Sequence, residues 1–279
     1  MPRVADVAEF LDAFAPATLA ESWDNVGLLL GDRSAELAAV MTCLTLTPDV
    51  AAEAIRERAG LVVTHHPILF RPVKRLTTDT PEGATLLALA KAGVAVYSPH
   101  TAFDGAADGV NARICERLGL TNVHPIRPLA GPVAAAEPLD ARPIGAGRYG
   151  ALPESLDFTA FAGRVRAAFG LRVLEAVPSP GPVSKVAVAC GAAAEFLSDA
   201  IAAGCEALVT GEARFHAAVE ARTRGVGLVL LGHYVSERFA VEDLAAVIAR
   251  RFPDLRAWPS RDERDPIERF WPESGSGGV

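Results

Sequence analysis

At 279 residues, half of them apolar, the chain can bury a substantial core, which argues against disorder and allows one large domain or two smaller ones. A net charge of -7 and a pI near 5.4 argue against a broad electrostatic grip on nucleic acid or anionic membrane, because such grips need clustered Lys and Arg. A small anionic ligand stays compatible with this charge.

Apolar positions Val4, Val7, Ala8, Leu11 and Phe14 recur at helical spacing with Pro16 just beyond, which predicts an opening amphipathic helix. Asp6, Glu9 and Asp12 interrupt that stretch, so it lacks the hydrophobic run of a signal peptide. A strand is expected at 27–31 and a buried strand at 38–46. A helix opened by Thr47-Pro48 follows, with Pro in the first turn, where its missing N–H costs nothing. Next come a strand at 61–64, a helix at 81–92, a strand at 94–98 and a helix at 109–118.

Residues 124–153, rich in Pro, Gly and Ala, predict a connection between a first half, 1–125, and a second, 126–279. In the second half the pattern gives a helix at 157–169 and strands at 173–177 and 185–190. A helix at 193–203, a strand at 207–210, a helix at 213–222 and a strand at 227–231 continue it. A long helix at 235–251 closes the pattern, and the Gly-rich tail at 274–279 is expected to fray. Apolar strands alternating with amphipathic helices indicate an α/β fold: two linked halves with mostly parallel or mixed sheets covered by helices. Leu61-Val-Val-Thr-His-His66 and Ala207-Leu-Val-Thr-Gly-Glu212 read as a faint internal repeat. No stretch reaches the roughly 18 apolar residues of a membrane-spanning helix. Cys43, Cys115, Cys190 and Cys205 show no Cys-x-x-Cys spacing and lie mostly in apolar runs, so a reduced, cytoplasmic location is expected.

Three strands end in metal-capable groups: His65 and His66 after the first, His100 and Asp104 after the next, His233 and Glu237 after the last. Ligands in open α/β sheets bind beyond the carboxyl ends of strands, so these groups are expected to converge in the cleft between the halves. A lone His at a strand end is more often structural. The adjacent pair His65-His66 at a strand-to-loop turn, a His-x-x-x-Glu that shares one face where the last helix has already begun, and Asp104 together supply three imidazoles and two carboxylates. That set suffices for two divalent ions, with Zn, Mn, Fe, Co and Ni all compatible. Five N/O ligands leave positions for water, which points to a catalytic, hydrolytic site more than to a closed structural one. No Gly-x-Ser-x-Gly elbow, dinucleotide fingerprint or phosphate loop competes with this reading.

The motifs Glu21-Ser-Trp-Asp-Asn-Val-Gly-Leu28, Thr64-His-His-Pro67, Ser98-Pro-His-Thr-Ala-Phe-Asp104, Gly145-Ala-Gly-Arg-Tyr-Gly150, Gly211-Glu-Ala-Arg-Phe-His216 and Gly232-His-Tyr-Val-Ser-Glu237 occur in a familiar order. Through them the chain resembles the NIF-three-like family, the GTP cyclohydrolase 1 type 2 homologues. The resemblance implies a dinuclear metal site on His65, His66, Asp104, His233 and Glu237, and a toroidal homohexamer whose sites face an inner cavity. The chain looks like the short form, without the large insertion between halves. It departs from the family at Cys190-Gly-Ala-Ala-Ala194, where a Gly-Gly-Ser-Gly run is common, and at Glu212, where Asp is common.

Two functions follow as expectations. One is a metal-dependent hydrolase of a small, nucleotide-like substrate, with His100 as general acid or base or as an orienter of metal ligands. The other is a non-catalytic metal-binding or regulatory scaffold. Neither a membrane nor a nucleic-acid partner is expected.

Overall fold

The computed structural model describes residues 1–129 and 144–268. Residues 130–143 of the expected connection and the whole Gly-rich tail at 274–279 lie outside these residues. In chain order the elements are α1 (Val4–Phe14), β1 (Gly27–Leu30), β2 (Ala39–Thr45), α2 (Pro48–Arg56), β3 (Leu61–His66), α3 (Pro81–Lys91), β4 (Ala95–Ser98), α4 (His100–Gly105) and α5 (Val110–Leu118). They continue with β5 (Thr121–His124), β6 (Arg127–Pro128), β7 (Gly145–Ala146), β8 (Arg148–Leu156), α6 (Phe158–Ala168), β9 (Glu175–Val177), β10 (Val183–Ala189) and α7 (Leu197–Ala202). Last come β11 (Ala207–Thr210), α8 (Phe215–Arg224), β12 (Gly227–Leu230), α9 (His233–Arg251) and β13 (Arg256–Pro259). Helix starts follow local chemistry: Thr47 accepts from Val50 N ahead of Pro48, and Asp157 accepts from Ala160 N at the start of α6.

Two mixed sheets organise the fold. The first has the order β1-β4-β3-β2-β13 and is parallel except for β1; the second has the order β5-β8-β10-β11-β12-β9, with β10-β11-β12 parallel. On β2 and β3 alternate side chains go to opposite faces, and both faces are buried. Val40, Leu61 and Val63 join a central core, while Met41, Cys43 and Val62 join an outer one beneath α2 and α3. The central core also takes Val186, Val188, Val209 and Val229 from the second sheet, with residues of α1, α5, α6 and α9 between the sheets. A third cluster covers the outer face of the second sheet with α7 and α8. Among the described residues no helix is long and apolar enough to cross a membrane.

Sheet membership crosses the expected boundary at residue 125 in both directions. Thr121–His124 pairs with β8 in the second sheet, and β13 returns from the C-terminal side to pair with β2 in the first. The return is locked by two buried carboxylates. Glu53 accepts from Ser260 Oγ at 2.6 Å and from the backbone N–H groups of Arg261 and Asp262 at 3.0 Å, while Glu263 accepts from Leu44 N at 2.9 Å and pairs with Arg238 at 3.0 Å.

Burial resists ionisation of Glu53, but those hydrogen bonds outweigh it and hold its pKa below the usual carboxylate value. A depressed folded pKa contributes stability that is complete above the unfolded value of about 4.3 and is lost as pH falls through the folded value. Glu53→Gln is therefore expected to lower stability by about 2 kcal/mol at neutral pH, with the gap to wild type closing in acid. Urea melts at several pH values measure this; a gap independent of pH would assign the loss to packing alone.

Candidate metal centre

All six proposed site residues lie at or just past the carboxyl ends of the parallel strands β3, β4 and β12. The strand β3 runs through both His65 and His66 and does not stop before them, and His66 is in register with Thr45 of β2. Neighbours on a strand point to opposite faces, yet here the two rings come within 5.1 Å between centroids, with His65 buried. The short helix α4, not foreseen from the sequence, starts at His100 with a φ of +28°, an uncommon conformation for a residue with a side chain. Helical spacing sets His100 and Asp104 on one face. Gly232, at a φ of +88°, turns the chain from β12 into α9, whose first two turns carry His233 and Glu237 on one face.

Glu237 is the hub. Its Oε2 lies 3.1 Å from His66 Nε2 and 3.1 Å from His233 Nε2, and its Oε1 lies 3.9 Å from His65 Nε2. Asp104 Oδ1 is 3.5 Å from His65 Nε2. Ligand atoms of His65, His66 and His100, and separately of His66, His233 and Glu237, fall within 4.8 Å of one another. Three of the histidines share one orientation, with Nδ1 held from outside the cluster. Thr45 Oγ1 is 2.8 Å from Nδ1 of His66, Asp24 Oδ1 2.7 Å from that of His100, and Glu212 Oε1 3.1 Å from that of His233. Outer partners of this kind accompany metal-binding histidines and turn Nε2 inward.

A cation fits these residues. Both ring nitrogens of His65 and Oδ1 of Asp104 are buried without a hydrogen-bond partner, a rare condition in folded proteins that points to a ligand. Burial drives the His65 pKa well below its ordinary value, which keeps the ring neutral, the form a metal requires. Burial, then the neighbouring Glu237 charge, pushes Asp104 up to about 7. Burial also opposes ionisation of Glu237, but hydrogen bonds from His233 and His66 win and lower its pKa. The hydrogen bond to Glu237 is the main cause that lifts His233 to about 9. Two buried carboxylates this close repel each other, so one resists its charge while the other keeps it.

The cluster opens into a cavity of about 640 Å³ whose wall includes Trp23, Phe70, Asn111, Cys190 and Phe196. Trp23 and Phe70 are exposed, with ring centroids 5.8 Å apart. Gly191, at a φ of +65°, lies so near the hub that a Cβ there would meet Glu237 Oε1 at 2.4 Å, so only glycine fits. Asn111 Nδ2 donates to the Asp104 carbonyl while its Oδ1 accepts from Cys190 N, tying α5 to the site. His124 and His216 stand apart from the cluster. The first packs on Tyr149, and the second is exposed on α8. Cys190 is buried against Asp104, a placement that its apolar sequence context did not disclose. Asp24 was legible only as part of the Glu21–Leu28 motif, and Glu212 through the internal repeat and the Gly211–His216 motif, neither of which placed it beside His233.

A family model described as Duf34/NIF3 (NGG1p interacting factor 3) matches residues 2–266. A Clostridium perfringens protein named GTP cyclohydrolase 1 type 2 homolog is 28% identical over 268 residues, covering 95% of this chain and 99% of the relative. A Streptomyces coelicolor protein of the same name is 31% identical over 276 residues, covering 95% and 94%. A Bacillus cereus crystal structure described as related to NIF3 superposes with a TM-score of 0.84 at 22% identity, covering 96% of this chain and 99% of that one, a likeness of fold.

Proposed function

Because the chain belongs to the Duf34/NIF3 (NGG1p interacting factor 3) family, we propose that it is a metal-dependent hydrolase whose two divalent ions per chain are held by His65, His66, Asp104, His233 and Glu237. The observation that carries this reading is the set of unpartnered buried atoms on His65 and Asp104 beside a carboxylate, Glu237, shared by His66 and His233. Divalent ions at such a set supply Lewis acidity and a nucleophile at neutral pH.

The chain's own residues do the rest. Glu237, reached by imidazoles from both β3 and α9, would be the carboxylate that holds the ions together with His66 and His233. Asn111 fixes the backbone at Asp104. His100, at the cavity wall, donates or accepts a proton at Nε2. The exposed rings of Trp23 and Phe70 cover an apolar part of a small, nucleotide-like substrate, a class that the names of the relatives also suggest. The chain works as a homohexamer in the cytoplasm, where its four buried free cysteines stay reduced.

Metal-replete and chelated protein should be screened against nucleotides, phosphoesters and cyclic amides. The expected result is a turnover that chelation abolishes and that His100→Gln lowers by about 100-fold. Two tightly held ions with no turnover on any class would replace this reading with a non-catalytic metal-binding scaffold.

A further inference from the structure

Asp24 lies in the loop between α1 and β1, and its side chain has no solvent exposure. Its two oxygens have separate partners. Oδ1 lies 2.7 Å from His100 Nδ1 and accepts from Asn25 N at 2.7 Å, while Oδ2 accepts from Thr101 N at 3.1 Å and from Thr101 Oγ1 at 2.5 Å. Thr101 Oγ1 in turn accepts from Glu21 N at 3.0 Å, and Asn25 Nδ2 donates to Leu69 O at 2.6 Å. One short loop thus grips the start of α4 and the segment that follows His65 and His66.

An ionised carboxylate only accepts hydrogen bonds. Hydrogen bonds from His100 and Thr101 overcome burial and hold the Asp24 pKa at about 2, so the proton between Asp24 and His100 belongs to Nδ1 of the imidazole. The other nitrogen faces inward, since the His100 ring lies 5.3 Å from the His65 ring and 5.6 Å from the His66 ring. A free imidazole is not committed to this tautomer, and His100 is also held at a positive φ. Capping the start of α4 uses Oδ2 alone, whereas Oδ1, besides accepting from Asn25 N, also meets a cavity histidine.

We propose that Asp24 is a positioning residue for His100: by accepting the Nδ1–H it fixes both the ring and its tautomer, so that Nε2 meets the reacting molecule beside the proposed ligands. The inference rests on the metal-centre reading for its purpose, but the tautomer can be measured without turnover. In catalytic dyads and triads a carboxylate does this work on a histidine, and its loss yields the wrong tautomer while the geometry survives.

The chain has six histidines, so ring-15N-histidine labelling of zinc-loaded protein, read by magic-angle-spinning NMR, resolves them at any assembly size. His100→Gln assigns the signal by its loss. In wild type, His100 is expected to carry its proton on Nδ1 in a strong hydrogen bond. Asp24→Ala should move it to the Nε2-protonated form with the zinc content unchanged. Asp24→Asn, isosteric and expected to fold, has an acceptor oxygen for only one side, either Thr101 N or Asn25 N with His100 Nδ1, so the strong Nδ1–H hydrogen bond of wild type should be weakened or lost.

A wild-type His100 protonated on Nε2 alone, or one that keeps its Nδ1–H in both variants, overturns the proposal and leaves Asp24 as a loop clamp. Loss of zinc from the Asp24 variants, matching that in Asp104→Ala, also overturns it and moves His100 among the ligands. If wild type turns over no substrate but the tautomer follows Asp24, the hydrolase reading fails and this one stands.

Discussion

Glu237→Ala is expected to abolish tight metal binding, lowering affinity by more than about 100-fold, beyond the 10 to 100-fold typical of residues that only orient ligands. The variant removes the acceptor shared by His66 and His233 and one of the two carboxylates that face His65, so both groups of candidate ligands lose their common charge. Glu237→Gln should behave similarly, because it preserves volume but not charge, whereas His100→Gln should keep its metal. Metal at 100 times its dissociation constant adds about 2.7 kcal/mol of stability by mass action. Wild type should gain this in thermal melts on zinc addition and Glu237→Ala should not. Equal zinc stabilisation of both proteins would remove Glu237 from the ligand set.

Arg148→Ala is expected to lower stability by on the order of 3 kcal/mol, a large loss for a polar side chain. The guanidinium is buried, and it donates to the carbonyls of Gly145 and Gly147 on one side and of Gly105 and Ala106, at 2.9 and 3.0 Å, on the other. The latter two lie at the C-terminal end of α4, where carbonyl dipoles favour a cation. Arg148 therefore joins β8 of the second sheet to the helix that carries His100 and Asp104. Its removal leaves buried acceptors without donors and loosens α4, so metal affinity should fall along with stability. Arg148→Lys keeps the charge but not the planar fork, and should lose about half as much. Chemical denaturation with a parallel zinc titration measures both. An Arg148→Ala variant as stable as wild type would mean that water satisfies those carbonyls.

The regular apolar strands and the helices opened by Thr47-Pro48 or Asp157 were legible in the sequence because local chemistry and periodicity agree there. The convergence of His65, His66, Asp104, His233 and Glu237 was legible because parallel strands deliver their carboxyl ends to one edge. What escaped depends on distant partners. The strand β8, Arg148–Leu156, contains Gly150 and Pro153 and lacks alternation over its second half, yet it sits between β5 and β10. The strand β13 is four residues long and ends in Pro259; it is extended because β2 and Glu53 hold it. The helix α4 is one and a half turns pinned by Asp24 and Arg148, from 76 residues before and 43 residues after their contacts. A boundary drawn at the Pro- and Gly-rich stretch followed composition, whereas the sheets exchange strands across it.

The central claim is that residues from both sheets hold two ions in one cluster. Anomalous X-ray scattering from crystals of zinc-replete protein, recorded on both sides of the zinc edge, tests it most directly. Two peaks per chain are expected, both inside the cluster of His65, His66, Asp104, His233 and Glu237. A single peak, or a second one outside that cluster, would contradict it.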